Sequence, residues 1–310
     1  MSDGELKKAK MTGAEKAPIV ASIVALALIV IKLTVGLYSG AMVLIASAVD
    51  SGLDFLVSVF NFFAIRYSEK PSDEIYNYGR GKLKAIASVL EGGVIVVSAI
   101  FIALTAIHKI INQNEIQHTS AAMAVMVVST LITGLLVMYL SRVARETGDL
   151  VVKADALHYK VDLWSNLGIL LALFIIAKTN LFILDPIFSI GIAIYIVVEA
   201  VKLIREGVFM LMDRALDTEL VEQIVAILED KDNKVTSHHL LKTRQAAQTF
   251  FVDVHLVYHR HISLLEAHAS SEKIEKRIRK LNKHQWVINC HLDPIDDLKR
   301  DITVHKKAGV

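Results

Sequence analysis

At 310 residues, with 54% hydrophobic and 21% charged side chains and a mean hydropathy of +0.48, the chain is too apolar for an ordinary soluble domain of its size. A formal charge of +2 offers no broad basic field of the kind nucleic acid requires. The single cysteine, Cys290, excludes an intrachain disulfide and a one-chain thiolate cage, which leaves His and carboxylates as metal ligands and suits a reducing cytosol.

Residues 1–16 form a polar, Lys-rich tail. The apolar run that follows is long enough to cross a bilayer and longer than the core of a cleaved signal, so the first helix is expected to be retained. Spanning-length apolar windows fall at 17–38, 42–66, 83–108, 119–141, 156–178 and 183–204, predicting an all-α domain of six transmembrane helices over 17–208 in a lipid bilayer. Lys7, Lys8, Lys10, Lys16, Arg66, Lys70, Arg80, Lys82, Lys84, Arg142, Arg145, Lys153, Lys202 and Arg205 flank one side, and Lys109 and Lys178 the other. The positive-inside rule therefore puts both termini in the cytoplasm.

From residue 209 charge returns, and residues 209–310 read as a small α+β domain of order αββαβ. Asp217 is placed to cap a helix carrying Leu220, Val221, Ile224, Ile227 and Leu228 at helical spacing. Strands are predicted over 239–243 and 249–258, the second alternating Phe250, Val252, Val254 and Leu256 with Phe251, Asp253 and His255. Ser263 and Glu266 form a capping-box pattern before a helix through Ile274, Ile278 and Leu281, and 286–290 reads as a third strand. The link at 211–215 is too short for a flexible tether, which predicts mechanical coupling of the two domains.

Inside the predicted second span, Asp50 and Asp54 stand one helical turn apart on one face. His158 and Asp162 repeat that spacing in the fifth. One imidazole and three carboxylates from two helices can close a tetrahedral shell around a divalent ion, and the ion offsets charges that are expensive in lipid. The competing interpretation is structural pairing with Lys32 or Lys160. All four groups must lose protons to bind metal, which predicts exchange of H⁺ for M²⁺, and the ligand set suits Zn²⁺ or Fe²⁺ foremost, with Cd²⁺, Co²⁺ or Mn²⁺ behind. Glu91, in the third span, reads as a polar group facing the bundle, with a place in the proton path as the alternative.

The stretches Ala48-Val-Asp-Ser-Gly-Leu-Asp54, Tyr78-Gly-Arg-Gly-Lys82, Ala154-Asp-Ala-Leu-His-Tyr-Lys-Val-Asp162 and Leu211-Met-Asp-Arg214 resemble those of the cation diffusion facilitator family, specifically its bacterial zinc and ferrous-iron efflux branch. That resemblance implies a homodimer in the cell (inner) membrane, alternating access with cytoplasmic metal exchanged for external protons, and a metallochaperone-like C-terminal domain that senses metal. It also implies a charge interlock between Lys82 and Asp213. Many members carry one Asp and two His in the loop after span two; here Asp73 is kept, while Tyr76 and Arg80 stand at the His positions, so that loop site is expected to be absent or weakened.

Nine of the twelve histidines lie beyond residue 230, and the family pattern matches His239, His255, His268, His291 and Asp293 to the ligands of a two-metal cluster. The residues agree in part: His255 is on the polar face of its strand, His268 is early in the capped helix, and the i, i+2 pair His291 and Asp293 lets a carboxylate bridge two ions. His238, His259, His261, His284 and His305 read as surface residues. Three other functions compete. A membrane zinc enzyme lacks any HExxH, nucleophile elbow or P-loop, a sensor without transport has no need of four ionisable groups at membrane depth, and a channel is poorly served by a many-ligand trap.

Overall fold

The computed structural model describes residues 11–40, 42–112, 120–179, 184–230 and 234–294. Lys7, Lys8, Lys10 and His305 lie outside the described residues. The chain divides into two compact units, Met1–Val208 and Phe209–Val310.

Six long helices occupy the first unit: α1 (Gly13–Ser39), α2 (Met42–Ser68), α3 (Lys82–Asn112), α4 (Ser120–Thr147), α5 (Leu150–Thr179) and α6 (Leu184–Leu211), the last running just past the unit boundary. Each reaches beyond its predicted apolar window, because helices continue past the hydrocarbon layer into polar flanks. Among the described residues five helices are long and apolar enough to cross a membrane. In α5 the first half carries Lys153, Asp155, His158, Lys160 and Asp162, and a predominantly apolar run follows over 163–177.

Helix ends follow local chemistry. Thr12 and Glu15 make a reciprocal capping box at the start of α1, and Gly40 ends that helix at φ 67°. Gly148 (φ 63°) ends α4, and Asp149 at once accepts from Val151 N at 2.9 Å and Val152 N at 3.3 Å to start α5. A two-residue turn thus joins two long helices.

Small residues set the close contacts. Ala14, Ala17, Ala21 and Ala25 form a buried stripe on α1, the spacing that lets helix backbones approach in lipid. Gly207 on α6 lies so near α3 that an added Cβ would stand 2.6 Å from Val89 Cγ2. Two apolar clusters result. One joins α1, α2, α3 and α4 to Val151, Val152, Ala156 and Tyr159 of α5; the other joins Ile95 and Ala99 of α3 and Ile196, Ala200 and Leu203 of α6 to Ala154, Leu157 and Val161. Helix α5 belongs to both, so other helices bury Asp155 and partly cover His158 and Asp162, whereas α2 exposes Leu53, Leu56, Phe60 and Phe63 as an apolar stripe.

The second unit contains α7 (Thr218–Leu228), β1 (Val235–Ala246), β2 (Thr249–Tyr258), α8 (Leu264–Ile278) and β3 (Gln285–Asp293), with sheet order β1-β2-β3. Strands β1 and β2 are antiparallel, β2 and β3 parallel. The order αββαβ is the one expected, with β1 and β3 several residues longer than their apolar cores suggested. Phe250, Val252, Val254, Leu256, Trp286 and Ile288 face α7 and α8 and build the core with Ile224, Leu228, Ile274 and Ile278. Ser263 and Glu266 form the capping box of α8. Asp217 stands at the N-cap of α7 but its side chain makes no capping hydrogen bond, so its effect there is limited to a negative charge at the helix start.

Candidate metal centre

In the first unit, His158 Nε2 lies 3.0 Å from Asp54 Oδ1, and ligand atoms of Asp54, His158 and Asp162 all fall within 4.8 Å of one another. The i, i+4 spacing on α5 stacks His158 and Asp162 on one face, and that face meets Asp54 of α2. Asp50, one turn before Asp54, is exposed and stands outside this trio, within Coulombic reach of Asp162 and Lys32. The buried Lys32 of α1 donates from Nζ to Ser51 Oγ at 2.8 Å and to Ser47 O at 3.3 Å, which holds one positive charge beside the acids.

Two polar clusters lie nearby, of which the sequence singles out only Glu91. Asp155, three residues before His158, is 1% exposed, and Ser58 Oγ lies 3.5 Å from its Oδ1. Glu91 is 6% exposed and accepts from Asn61 Nδ2 at 3.1 Å. Farther along, buried Lys84 bonds Asp149 Oδ2 at 2.6 Å and Glu69 Oε1 at 3.0 Å, tying the ends of α2 and α3 to the cap of α5. A charged residue at helical spacing among apolar ones was the available signal for Asp155 and Lys84, but spacing does not say which face is covered.

In the loop after α2, Arg80 Nη2 bonds Asp73 Oδ2, and the guanidinium sits 4.3 Å from the ring centre of Tyr76 and 5.2 Å from that of Tyr67. Asp73 Oδ1 accepts from Tyr76 N at 2.8 Å and Ile75 N at 3.1 Å. The Tyr76 amide first, and then Arg80, hold the Asp73 carboxyl below the usual carboxylate range. A fixed cation therefore occupies the place beside Asp73.

In the second unit the register aligns His239 with His255 and His255 with His291, a row of three imidazoles across three strands. Asp293, two residues after His291, reaches all three: Oδ2 lies 2.9 Å from His255 Nδ1 and 3.6 Å from His239 Nε2, and Oδ1 lies 3.2 Å from His291 Nε2. The register of β1 shifts between His239 and Lys242, and Leu240 there has φ 49°, a bulge beside a functional cluster. His268 is elsewhere. Its side chain, 64% exposed, faces Glu272 at 3.6 Å on α8. The physical reason is layering: α8 packs on the core face of the sheet, while the histidine row is on the opposite face.

Lys82 opens α3 in the first unit. Asp213, in the second, has φ 54° and accepts from Arg244 Nη1 at 3.3 Å.

Residues 19–212 match the family model described as the cation efflux transmembrane domain, and residues 216–295 match the cation efflux protein, cytoplasmic domain. The chain is 35% identical over 271 residues to the cation-efflux pump FieF of Shewanella oneidensis, covering 87% of this chain and 90% of that protein. It is 33% identical over 287 residues to the protein of the same name from Salmonella arizonae, covering 93% and 95%. It is 32% identical to that of Citrobacter koseri, covering 92% and 94%. The chain belongs to the cation diffusion facilitator family, and is a membrane-embedded efflux transporter of divalent metal cations.

Proposed function

We propose that the transporter exchanges cytoplasmic Zn²⁺ or Fe²⁺ for protons at Asp54, His158 and Asp162, with Asp50 closing the shell once the ion is bound. The observation that carries this reading is the convergence of one imidazole and two carboxylates from α2 and α5, two of the predicted spans. Nitrogen and oxygen donors without thiolate suit Zn²⁺ and Fe²⁺ better than Cu⁺. Because every ligand binds metal in its deprotonated form, ion entry releases protons and protonation expels the ion. Alternating access between the two membrane faces converts that competition into efflux.

In this reading the protein is a homodimer in the cell membrane with both termini in the cytoplasm, and it is no enzyme. The row His239, His255 and His291, bridged by Asp293, is its cytosolic metal sensor, with His268 lying apart from it on α8. Lys82 and Asp213 form the interlock between the domains.

The test is metal-dependent proton flux in proteoliposomes with Zn²⁺, Fe²⁺, Mn²⁺ and Cd²⁺. Wild type is expected to exchange protons for at least one ion, with Asp54→Ala and His158→Ala silent. Metal movement insensitive to a proton gradient would overturn the exchange, and full activity in either variant would overturn the site.

A further inference from the structure

A second set of buried polar groups lies beside the metal centre, toward the helix ends that carry Arg66 and Lys153. Ser58 and Asn61 follow Asp54 on α2 at i+4 and i+7, one helical stripe about 10 Å long. Asn61 Nδ2 donates to Glu91 Oε2 of α3 at 3.1 Å, and the same amide is close enough to act on Asp155 of α5. Ser58 Oγ is 3.1 Å from Tyr159 Oη and 3.5 Å from Asp155 Oδ1. Asn61, Glu91 and Asp155 are each more than nine-tenths buried.

Three oxygens of this set, Asn61 Oδ1, Glu91 Oε1 and Asp155 Oδ2, have no hydrogen-bond donor. No Lys or Arg pairs with either carboxyl among the described residues. The ionisable groups facing them are Asp54 from α2 and His158 and Tyr159 from α5. A buried carboxylate without a cation is expensive, and an ionised carboxylate is acceptor-only, so neither acid can satisfy the other or the Asn61 oxygen. A proton on each acid supplies the missing donor and removes the uncompensated charge together. A divalent cation is the alternative way of meeting the same oxygens.

We propose that Glu91 and Asp155, linked through Asn61, form a proton-binding centre distinct from the metal centre. This rests on the proton-exchange reading above. Each acid holds one proton in the metal-free state; as M²⁺ seats on Asp54, His158 and Asp162, Glu91 or Asp155 gives up its proton to the side from which the metal came, turning a neutral acid into a carboxylate. Ser58 is the group between, one turn from Asp54 and beside Asp155. Each transfer moves one proton and changes no other bond, and the charge of the arriving cation offsets the carboxylate left behind.

The test uses the full-length protein, wild type and the variants Glu91→Gln and Asp155→Asn. In wild type, the infrared difference between metal-free and Zn²⁺-loaded protein is expected to contain protonated-carboxyl C=O bands, one lost in each variant. Both variants are expected to bind as many Zn²⁺ equivalents as wild type, within twofold in affinity. Their proton-driven Zn²⁺ flux should fall at least tenfold with a flattened pH profile. Absence of carboxyl bands in wild type overturns the proposal without any variant. So does an unchanged pH profile, which marks a structural role, or loss of a bound Zn²⁺, which marks a second metal station. Failure of wild type to couple zinc to protons at all would instead remove the exchange reading beneath it.

Discussion

The histidine row makes a quantitative prediction for metal-linked stability. Asp293 is 7% exposed and its two oxygens reach three imidazoles, so replacing it with Ala removes the group on which the row converges. A ligand that binds the folded state alone adds about 2.7 kcal/mol at a hundredfold excess over its Kd. For a unit of about 100 residues each kcal/mol moves Tm by about 4–8 °C, so saturating Zn²⁺ is expected to raise Tm by about 11–22 °C. Trp286 reports this directly, because it lies in the core of the second unit; the other tryptophan, Trp164 on α5, is removed as Trp164→Phe in the full-length background. Fluorescence-detected melting with Zn²⁺ and with chelator should give that rise, and Asp293→Ala should lose most of it. A variant that keeps more than half of the rise refutes the reasoning. His268→Ala supplies a second comparison: the separation of α8 from the row predicts that most of the rise survives, whereas a loss as complete as that of Asp293→Ala means that a histidine reaches the row from a second copy.

Lys84→Met should destabilise the membrane unit by about 3–5 kcal/mol, since it leaves Asp149 and Glu69 without their buried cation, while Arg142→Ala, which breaks an exposed i, i+4 pair, should stay within about 0.5 kcal/mol in the same thermal assay. Gly207→Ala forces α6 away from Val89 on α3 and is expected to cost about 1–3 kcal/mol, measured as a lowered melting temperature in detergent. Burial pushes the Cys290 thiol up to about 12, with Glu275 adding to the shift. Maleimide labelling should therefore be slow in the folded protein near neutral pH and fast after unfolding. The native state keeps that proton while the unfolded chain loses it near its ordinary value, so this contribution to stability is full below about pH 9 and declines toward pH 12. Cys290→Ala should flatten that decline in alkaline melts.

The trio Asp54, His158 and Asp162 is legible in the sequence because an ionisable residue in a long apolar helix has few neutral explanations, and i, i+4 spacing assigns two of them to one face. Spacing alone does not reveal how carboxylates share that face, which is why Asp50 and Asp54 look equivalent in the chain and differ in the fold. Asp155 is hidden for a related reason: α5 is covered by helices on more than one side, so its periodicity carries little information about direction. In the second unit the strand alternation identifies the face of His255, but the row it forms with His239 and His291 depends on register, and the place of His268 depends on which layer α8 covers. Neither is encoded in local spacing.

These features meet in α5. Its place in both apolar clusters lets it carry two acids and a histidine that lipid would not tolerate. Its start is pinned by the Asp149 cap, which Lys84 ties to α2 and α3, while His158 faces Asp54 of α2 one residue away from Tyr159 in the apolar cluster. A change of protonation or metal at His158 is thereby felt by a helix that, with α3, joins the two halves of the core. If α5 transmits that change, shortening its anchor should alter transport more than binding. Asp149→Asn keeps a capping acceptor but loses the charge that holds Lys84. It is expected to leave Zn²⁺ affinity within twofold and slow flux about tenfold. Equal losses in affinity and flux would show that the Lys84–Asp149 tie stabilises the site rather than its movement.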